Sequence, residues 1–340
     1  MNAFICEVCG QLLFFDNSTC LQCGSLLGFD PASLRLRALS PDGDVLRPVD
    51  RDTATYRYCG NRVAARCNWL VPAHDPSALC ASCRLTTVRP NDTESEAMAA
   101  FADAESAKRR LIFQLLDLGL PIRGLDEDPV NGVAFELLSS RGHEVTTGHE
   151  NGVITLDLSE SDDAHREFVR QQLGEAYRTV LGHLRHEIGH YYWPVLVEGG
   201  GHIDRFRGLF GDERVSYQAE LEGHYAGGPP SDWSSTHVSQ YATVHPWEDW
   251  AETFAHYLHI RSGLQSADSF GLAVGDPSAA AGHKAGSDTS HLSIGPLIDR
   301  WLALTIGMNA MSRSIGQGDV YPFVLPPRVV EKLDFVHTLL

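Results

Sequence analysis

The chain has 340 residues, 43% of them hydrophobic and 21% charged, enough to bury a full core and to form two domains. Its 27 basic and 44 acidic residues leave a net charge of −17, which opposes non-specific attraction to nucleic acid or anionic membranes. No apolar run approaches the ~20 residues needed to cross a bilayer, and the start, Met1-Asn-Ala-Phe-Ile-Cys6, lacks the basic region of a secretion signal, so the expected address is the cytoplasm.

All eight cysteines fall before residue 84. Cys6-Glu-Val-Cys9-Gly10 and Cys20-Leu-Gln-Cys23-Gly24 are paired C-x2-C turns, in which backbone N–H groups point at the sulfurs and the glycine relieves a tight bend. Four thiolates at this spacing predict a tetrahedral structural zinc site, with iron in a rubredoxin-like site as the competing occupant. Cys59, Cys67, Cys80 and Cys83 are less regular and predict a second four-cysteine zinc site, with His74 available as a substitute ligand. Between them, Leu34 to Leu39 alternates and Pro41-Asp-Gly-Asp44 turns the chain, a short hairpin. So small a region is expected to hold little core and to draw much of its folding free energy from metal ligation. The predicted zinc-ribbon domain is thus β-rich and spans 1–88.

A linker is expected near Val88 to Asp92, followed by a capping box at Thr93-Glu-Ser-Glu96 and an amphipathic helix from Met98 to Leu118. The second domain, 93–340, is read as mainly helical with a small sheet, making the whole chain α+β. Its strands are Gly132 to Leu138, His143 to Thr147 and Val153 to Leu158, with Asn151-Gly152 as a turn between the last two. Val153 to Leu158 precedes a long helical run and suits either an ordinary sheet strand or an edge strand that pairs with an extended peptide.

That run, starting near Asp162, carries His186-Glu-Ile-Gly-His190, an H-E-x-x-H sequence. In a chain with 16 histidines the motif can arise by coincidence, so its surroundings matter. Leu173, Tyr177, Val180, Leu181, Leu184, Ile188, Tyr191 and Tyr192 recur at three- and four-residue spacing, which places the motif on an amphipathic helix. His186 and His190 then lie one turn apart on one face and converge on a metal, leaving Glu187 beside it as a general base for an attacking water. Pro194 stops the helix, and His202 stands at the wrong spacing to be the third ligand of a metzincin.

A third ligand must come from later in the chain. Trp247 to His259 is a second helical run with Glu248, Glu252, His256 and His259 on one stripe. Such carboxylates are costly to bury unless they meet a cation. Glu248 completes a two-histidine, one-glutamate set and Glu252 then orients a ligating histidine; the opposite register would make Glu252 the ligand. Asp249 points about 100° away and reads as a solvated or capping group, while His256 and His259 read as core. Beyond, Ser262 to Ser290 is read as a mobile loop, and Pro296 to Met311 and Pro326 to Leu340 as helices; Phe206 to Tyr225 contains another.

The H-E-I-G-H helix, Tyr241, and Glu248-Asp-Trp-Ala-Glu252-Thr-Phe254 resemble the gluzincin-type arrangement of anthrax lethal factor, where a tyrosine also precedes the ligand glutamate with six residues between. That resemblance supports Glu248 as the ligand and implies that Tyr241 donates its hydroxyl to the oxyanion at the scissile carbonyl. Taken with Tyr58-Cys59, Cys67-Asn-Trp-Leu-Val71 and Leu209-Phe-Gly-Asp-Glu213, the whole chain is similar to the bacterial zinc-binding metallopeptidases that carry an N-terminal zinc ribbon. The fold so implied for the second domain is zincin-like.

The expected function is that of a zinc-dependent peptidase, most concretely an endopeptidase, with one catalytic zinc on His186, His190 and Glu248, two structural zincs, Glu187 as base and Tyr241 as electrophile. Its partner would be a peptide or protein substrate, with no membrane. A non-catalytic adaptor or sensor that keeps the metal for structure is the alternative. Zinc ribbons that bind nucleic acid, with Arg62, Arg66 and Arg84 near the second cluster, form a weaker one. Oligomeric state is not legible.

Overall fold

The computed structural model describes residues 2–50, 52–140, 145–162, 166–167, 178–274 and 292–340. The chain folds as two compact units, 1–166 and 167–340. A strand-rich N-terminal region is followed by a helical one, an α+β architecture. No helix among the described residues is long and apolar enough to cross a membrane.

Twin cysteine turns open the first unit. Gly10 and Gly24 each donate their N–H to the carbonyl of Cys6 and Cys20 at 2.9 and 2.8 Å, and both sit at left-handed φ (76° and 74°), where a side chain is strained. Strands β1 (Phe4–Ile5) and β2 (Leu12–Leu13) pair beside the first turn. A five-stranded antiparallel meander follows, β3 (Leu26–Asp30), β4 (Arg35–Asp42), β5 (Val45–Pro48), β6 (Tyr56–Tyr58) and β7 (Leu70–Pro72). The β4–β5 hairpin turns at Gly43, as the sequence predicts. A parallel bridge between Phe29 and Trp69 brings the first strand back toward the last.

Phe15, Phe29 and Trp69 are fully buried at the centre, with ring centroids 5.1 Å apart for Phe15–Phe29 and 4.8 Å for Phe29–Trp69. Phe113 of helix α1 (Ser95–Asp117) enters this cluster 5.3 Å from Phe15. The expectation of a ribbon with little core is therefore corrected: α1 supplies part of an aromatic core in which edge-to-face pairs stabilise by about 0.5–1.5 kcal/mol each beyond area burial. Nor does the chain pass through a free linker near Val88. Strand β8 (Thr86–Val88) pairs in parallel with β9 (Ala134–Leu138), so the first compact unit runs past the expected division at 88/93. The Thr93 capping box is also absent. Glu94 occupies the N-cap position without a side-chain cap bond, and the Thr93 hydroxyl instead donates to Asn91 at 2.9 Å.

Strands β10 (Gly148–Glu150) and β11 (Val153–Asp157) form a hairpin through Asn151-Gly152, both at positive φ, the geometry that matches strand twist. The sheet order is β10-β11-β9-β8. Val153 to Asp157 pairs with β9 along its length and Val153 to Thr155 also pairs with β10, so the edge-strand reading is corrected: β10, not β11, is the outer strand on that side. The strand expected at 143–147 lies partly outside the described residues; the observed strand begins at Gly148.

In the second unit, α2 (Val180–Tyr192) continues as one wide turn through Glu198, followed by α3 (Ile203–Phe210), α4 (Tyr217–Gly227), α5 (Pro246–Ser269), α6 (Ile294–Ser314) and α7 (Pro327–Leu339). Phe206, Trp250, Phe254 and Phe335 are fully buried between these helices. Leu173 and Tyr177, read as part of the motif helix, lie outside the described residues. Helix α5 runs to Ser269 with Leu264 and Ala267 buried, so the loop expected from Ser262 is helical for its first two turns, and 275–291 lie outside the described residues.

Helix α1 also carries a fully buried ion pair, Lys108 Nζ to Glu105 Oε1 at 2.6 Å, with the Thr86 hydroxyl against both. Removing one partner of such a pair strands the other charge and costs about 3–5 kcal/mol, whereas replacing both by apolar groups of similar volume is near neutral. Lys108→Met is therefore expected to lower the urea midpoint strongly, and Glu105→Leu with Lys108→Met to restore most of it. Equal destabilisation by the single and double variants would show that the pair is not what the charge is buried for.

Candidate metal centre

Two helices build the centre. Thr179 caps α2 by accepting the N–H of Gly182 at 3.0 Å. His245 caps α5 by accepting the N–H of Trp247 at 3.1 Å, and Pro246 takes the first turn, where its missing N–H costs nothing. The helices cross at Gly189. A Cβ built there would lie 3.0 Å from Ala251 Cα, 3.2 Å from Ala251 O and 3.3 Å from Phe254 Cβ, so only glycine allows this approach without a shift. Trp250, fully buried, donates its indole N–H to the Gly189 carbonyl at 2.8 Å and fixes the crossing.

At this crossing His186, His190 and Glu248 come together. Nε2 of His186 lies 3.2 Å from Nε2 of His190, and Glu248 Oε2 lies 3.0 and 3.3 Å from the two nitrogens. Ligands 2.0–2.1 Å from a tetrahedral zinc are separated from one another by about 3.3–3.4 Å. The three atoms are therefore spaced as a metal would space them. Glu248 Oε2 is also buried and accepts no hydrogen bond, an orphaned anion facing two imidazoles. Burial opposes charge on His186, but Glu248 and Glu252 raise its pKa well above the ordinary value, which means the pocket calls for a positive charge at this point. A divalent cation meets that demand with three donors of the right kind, and among the described residues the group holds three protein donors.

The surroundings orient these donors. Glu252 Oε1 accepts from His186 Nδ1 at 2.7 Å, and its Oε2 accepts the Ser239 hydroxyl at 2.6 Å. That bond fixes the tautomer that leaves Nε2 of His186 with its lone pair toward the centre. Glu187, one residue on, is buried; Nε2 of His183 donates to its Oε1 at 3.0 Å. Burial alone would raise the Glu187 pKa, but His183 and the imidazoles hold it down to about 2, so it is ionised at neutral pH. Tyr241, part-exposed, places its ring 5.9 Å from that of His186. Burial of its hydroxyl and the charge of Glu248 keep the phenol protonated far above neutrality.

Two neighbours were not legible in the sequence. His183 lies one turn before Glu187, a spacing that could have suggested the contact. Tyr217, on α4, donates to Glu248 Oε1 at 2.8 Å across 31 residues of chain, and no local pattern announces it.

A family model described as "Putative zinc-binding metallo-peptidase" matches residues 97–339, and a zinc-ribbon domain model matches 3–94. The chain belongs to this zinc-binding metallo-peptidase family. It is 49% identical over its full length to uncharacterized proteins of Mycobacterium bovis and of two strains of Mycobacterium tuberculosis, covering 95% of each. No solved structure matches it.

For a family member with a zinc ribbon, the cysteines are placed consistently. Cys6, Cys9, Cys20 and Cys23 form one group, and Cys59, Cys67, Cys80 and Cys83 a second that is wholly buried. Sulfurs are 3.7 Å apart for Cys6–Cys23, 3.6 Å for Cys9–Cys20 and 3.7 Å for Cys67–Cys80. A Zn–S bond of 2.3 Å gives a tetrahedral edge of about 3.8 Å, whereas a disulfide would bring the sulfurs to about 2.05 Å. His74 is exposed and stands outside the second group. His256 and His259 are neutral packing groups: burial lowers their pKa values to about 4 and about 3, and His256 Nδ1 meets the Tyr321 hydroxyl at 2.8 Å. Asp249 departs from expectation. It is 1% exposed rather than solvated, because Lys332 of α7 reaches it at 2.5 Å and also donates to the Thr236 carbonyl at 2.7 Å.

Gly189→Ala gains up to about 1 kcal/mol of helix propensity but overpacks a rigid crossing, which typically costs about 1–3 kcal/mol. The expected result is a lower melting midpoint together with less metal retained at the histidine site. A variant that is more stable and fully loaded would refute the close-crossing argument.

Proposed function

We propose that the chain is a zinc-dependent peptidase that cleaves peptide bonds by activating water. The observation that carries this reading is the juxtaposition of three converging donor atoms, His186 Nε2, His190 Nε2 and Glu248 Oε2, with an ionised glutamate and a protonated phenol beside them. His186, His190 and Glu248 would hold a zinc ion, which would supply Lewis acidity toward the scissile carbonyl and make the attacking water more acidic. Glu187, ionised and fixed by His183, accepts the proton of the attacking water and passes it to the leaving amine. Tyr241 keeps its proton and offers it as a hydrogen bond to the oxygen where negative charge develops. Glu252 and Ser239 hold His186 in the ligating tautomer throughout. A purely structural site would have no use for a base, and Glu187 is intact.

The two cysteine groups would hold structural zinc, so metal analysis should find about three zinc per chain, one for each of the three donor groups. Digestion of a peptide library by the wild-type protein and by Glu187→Gln, side by side, tests the activity and shows whether cleavage is internal. The variant should lose at least about three orders of magnitude in kcat while keeping its zinc, because only the proton acceptor is removed. Glu248→Ala should empty the histidine site, and Glu252→Ala should weaken zinc binding by about 10–100-fold. Greater metal loss in the Glu252 variant would reverse the ligand assignment. Undiminished cleavage by Glu187→Gln would end the peptidase mechanism.

A further inference from the structure

Helix α4 is unusual among the helices around the centre in having no buried residue, yet its first residue reaches into the site. Tyr217 is half-buried, and its hydroxyl donates to Glu248 Oε1 at 2.8 Å, while Oε2 of the same carboxylate faces His186 and His190. The two oxygens of Glu248 thus have different surroundings. One accepts a hydrogen bond from a phenol, and the other is left without a hydrogen bond. A carboxylate is acceptor only, which commits the Tyr217 proton to Glu248. Ser216 caps the helix by accepting the Ala219 N–H, and the Tyr217 ring lies 5.3 Å from that of His245, so the phenol is aimed by the start of α4 and by the cap of α5.

We propose that Tyr217 is a positioning residue that makes Glu248 a one-oxygen ligand, keeping Oε1 off the metal and so preserving the open coordination position. This rests on the assignment of His186, His190 and Glu248 as the zinc ligands. Without the phenol, Oε1 has no other donor among its described contacts and swings toward the cation, giving a two-oxygen ligand and a more crowded metal. Tyr217 touches neither water nor the reacting carbonyl in this role. Its effect reaches the reaction through the coordination number.

The test uses the full chain with its cysteine sites loaded with zinc and cobalt(II) placed at the histidine site, and a His186→Ala chain treated identically as the spectral blank. Tyr217→Phe removes only the hydroxyl. The expected result is a fall in visible cobalt absorption intensity, the mark of a change from four ligands toward five, together with a change of about 10–100-fold in zinc affinity measured by chelator competition. Gln218→Ala, on the exposed face of the same helix, should change neither. A role confined to holding α4 in place would lower the melting midpoint of the metal-free protein without altering the cobalt spectrum of the loaded one. Wild-type spectrum and affinity in Tyr217→Phe would overturn the proposal while leaving the ligand assignment standing. Failure of the wild-type chain to bind cobalt beyond the blank would overturn both.

Discussion

Everything at the centre depends on how closely two helices approach. Imidazoles on α2 and carboxylates on α5 have short reach, and their donor atoms meet within 3.0–3.3 Å only because Gly189 presents no side chain to Ala251 and Phe254. The Trp250 indole, bonded to the Gly189 carbonyl, converts that approach into a fixed one. Sequence spacing puts His186 and His190 on one face, and Glu248 and Glu252 on another. The glycine makes the two faces one site.

The first unit solves a different problem. Its strands are short, and two cysteine groups hold turns that so few residues would not otherwise keep folded. Yet the metal groups do not act alone. Phe113 of α1 completes the aromatic cluster around Phe15, and Cys83 Sγ sits 3.7 Å from Glu105 of the same helix, whose charge is shared with Lys108. Helix α1 lies within the stretch matched by the metallo-peptidase family model, so the boundary recognised in sequence at 94–97 is crossed by continuous packing. A family boundary marks where sequences recombine or diverge, and it need not mark where a core ends.

What could be read from the sequence was what repeats or spaces regularly. The C-x2-C-Gly turns, the Asn151-Gly152 hairpin, the motif helix and the Glu248–Glu252 stripe all have a local period or signature, and the structure brings their candidate donors together in the three expected groups. What could not be read was set by partners far along the chain. Asp249 is buried because Lys332 comes from 83 residues away, and Tyr217 meets Glu248 across 31. Val153 to Asp157 is interior because β9 and β10 flank it, an outcome no single strand encodes. The stretch from Ser262 looked like loop by composition, but Leu264 and Ala267 face the core, and tertiary burial outweighs the weak propensities of serine and glycine.

The treatment of charge sets the centre apart from the rest of the helical unit. Four carboxylates, Glu187, Glu248, Asp249 and Glu252, are brought close together on α2 and the start of α5, and each must be compensated to be kept from water. Asp249 receives Lys332, and Glu187 accepts a hydrogen bond from the His183 imidazole. Glu248 and Glu252 meet only imidazoles and hydroxyls; among the described residues neither has a lysine or arginine partner. A protein that needed these two merely for stability would gain more from apolar residues of the same size. Two imidazoles beside two carboxylates with no lysine or arginine partner leave a demand for positive charge at one point, and a divalent ion would meet it while taking both Nε2 lone pairs. Lys332 satisfies Asp249, so the buried negative charge left without a lysine or arginine partner on this helix is that of Glu248 and Glu252.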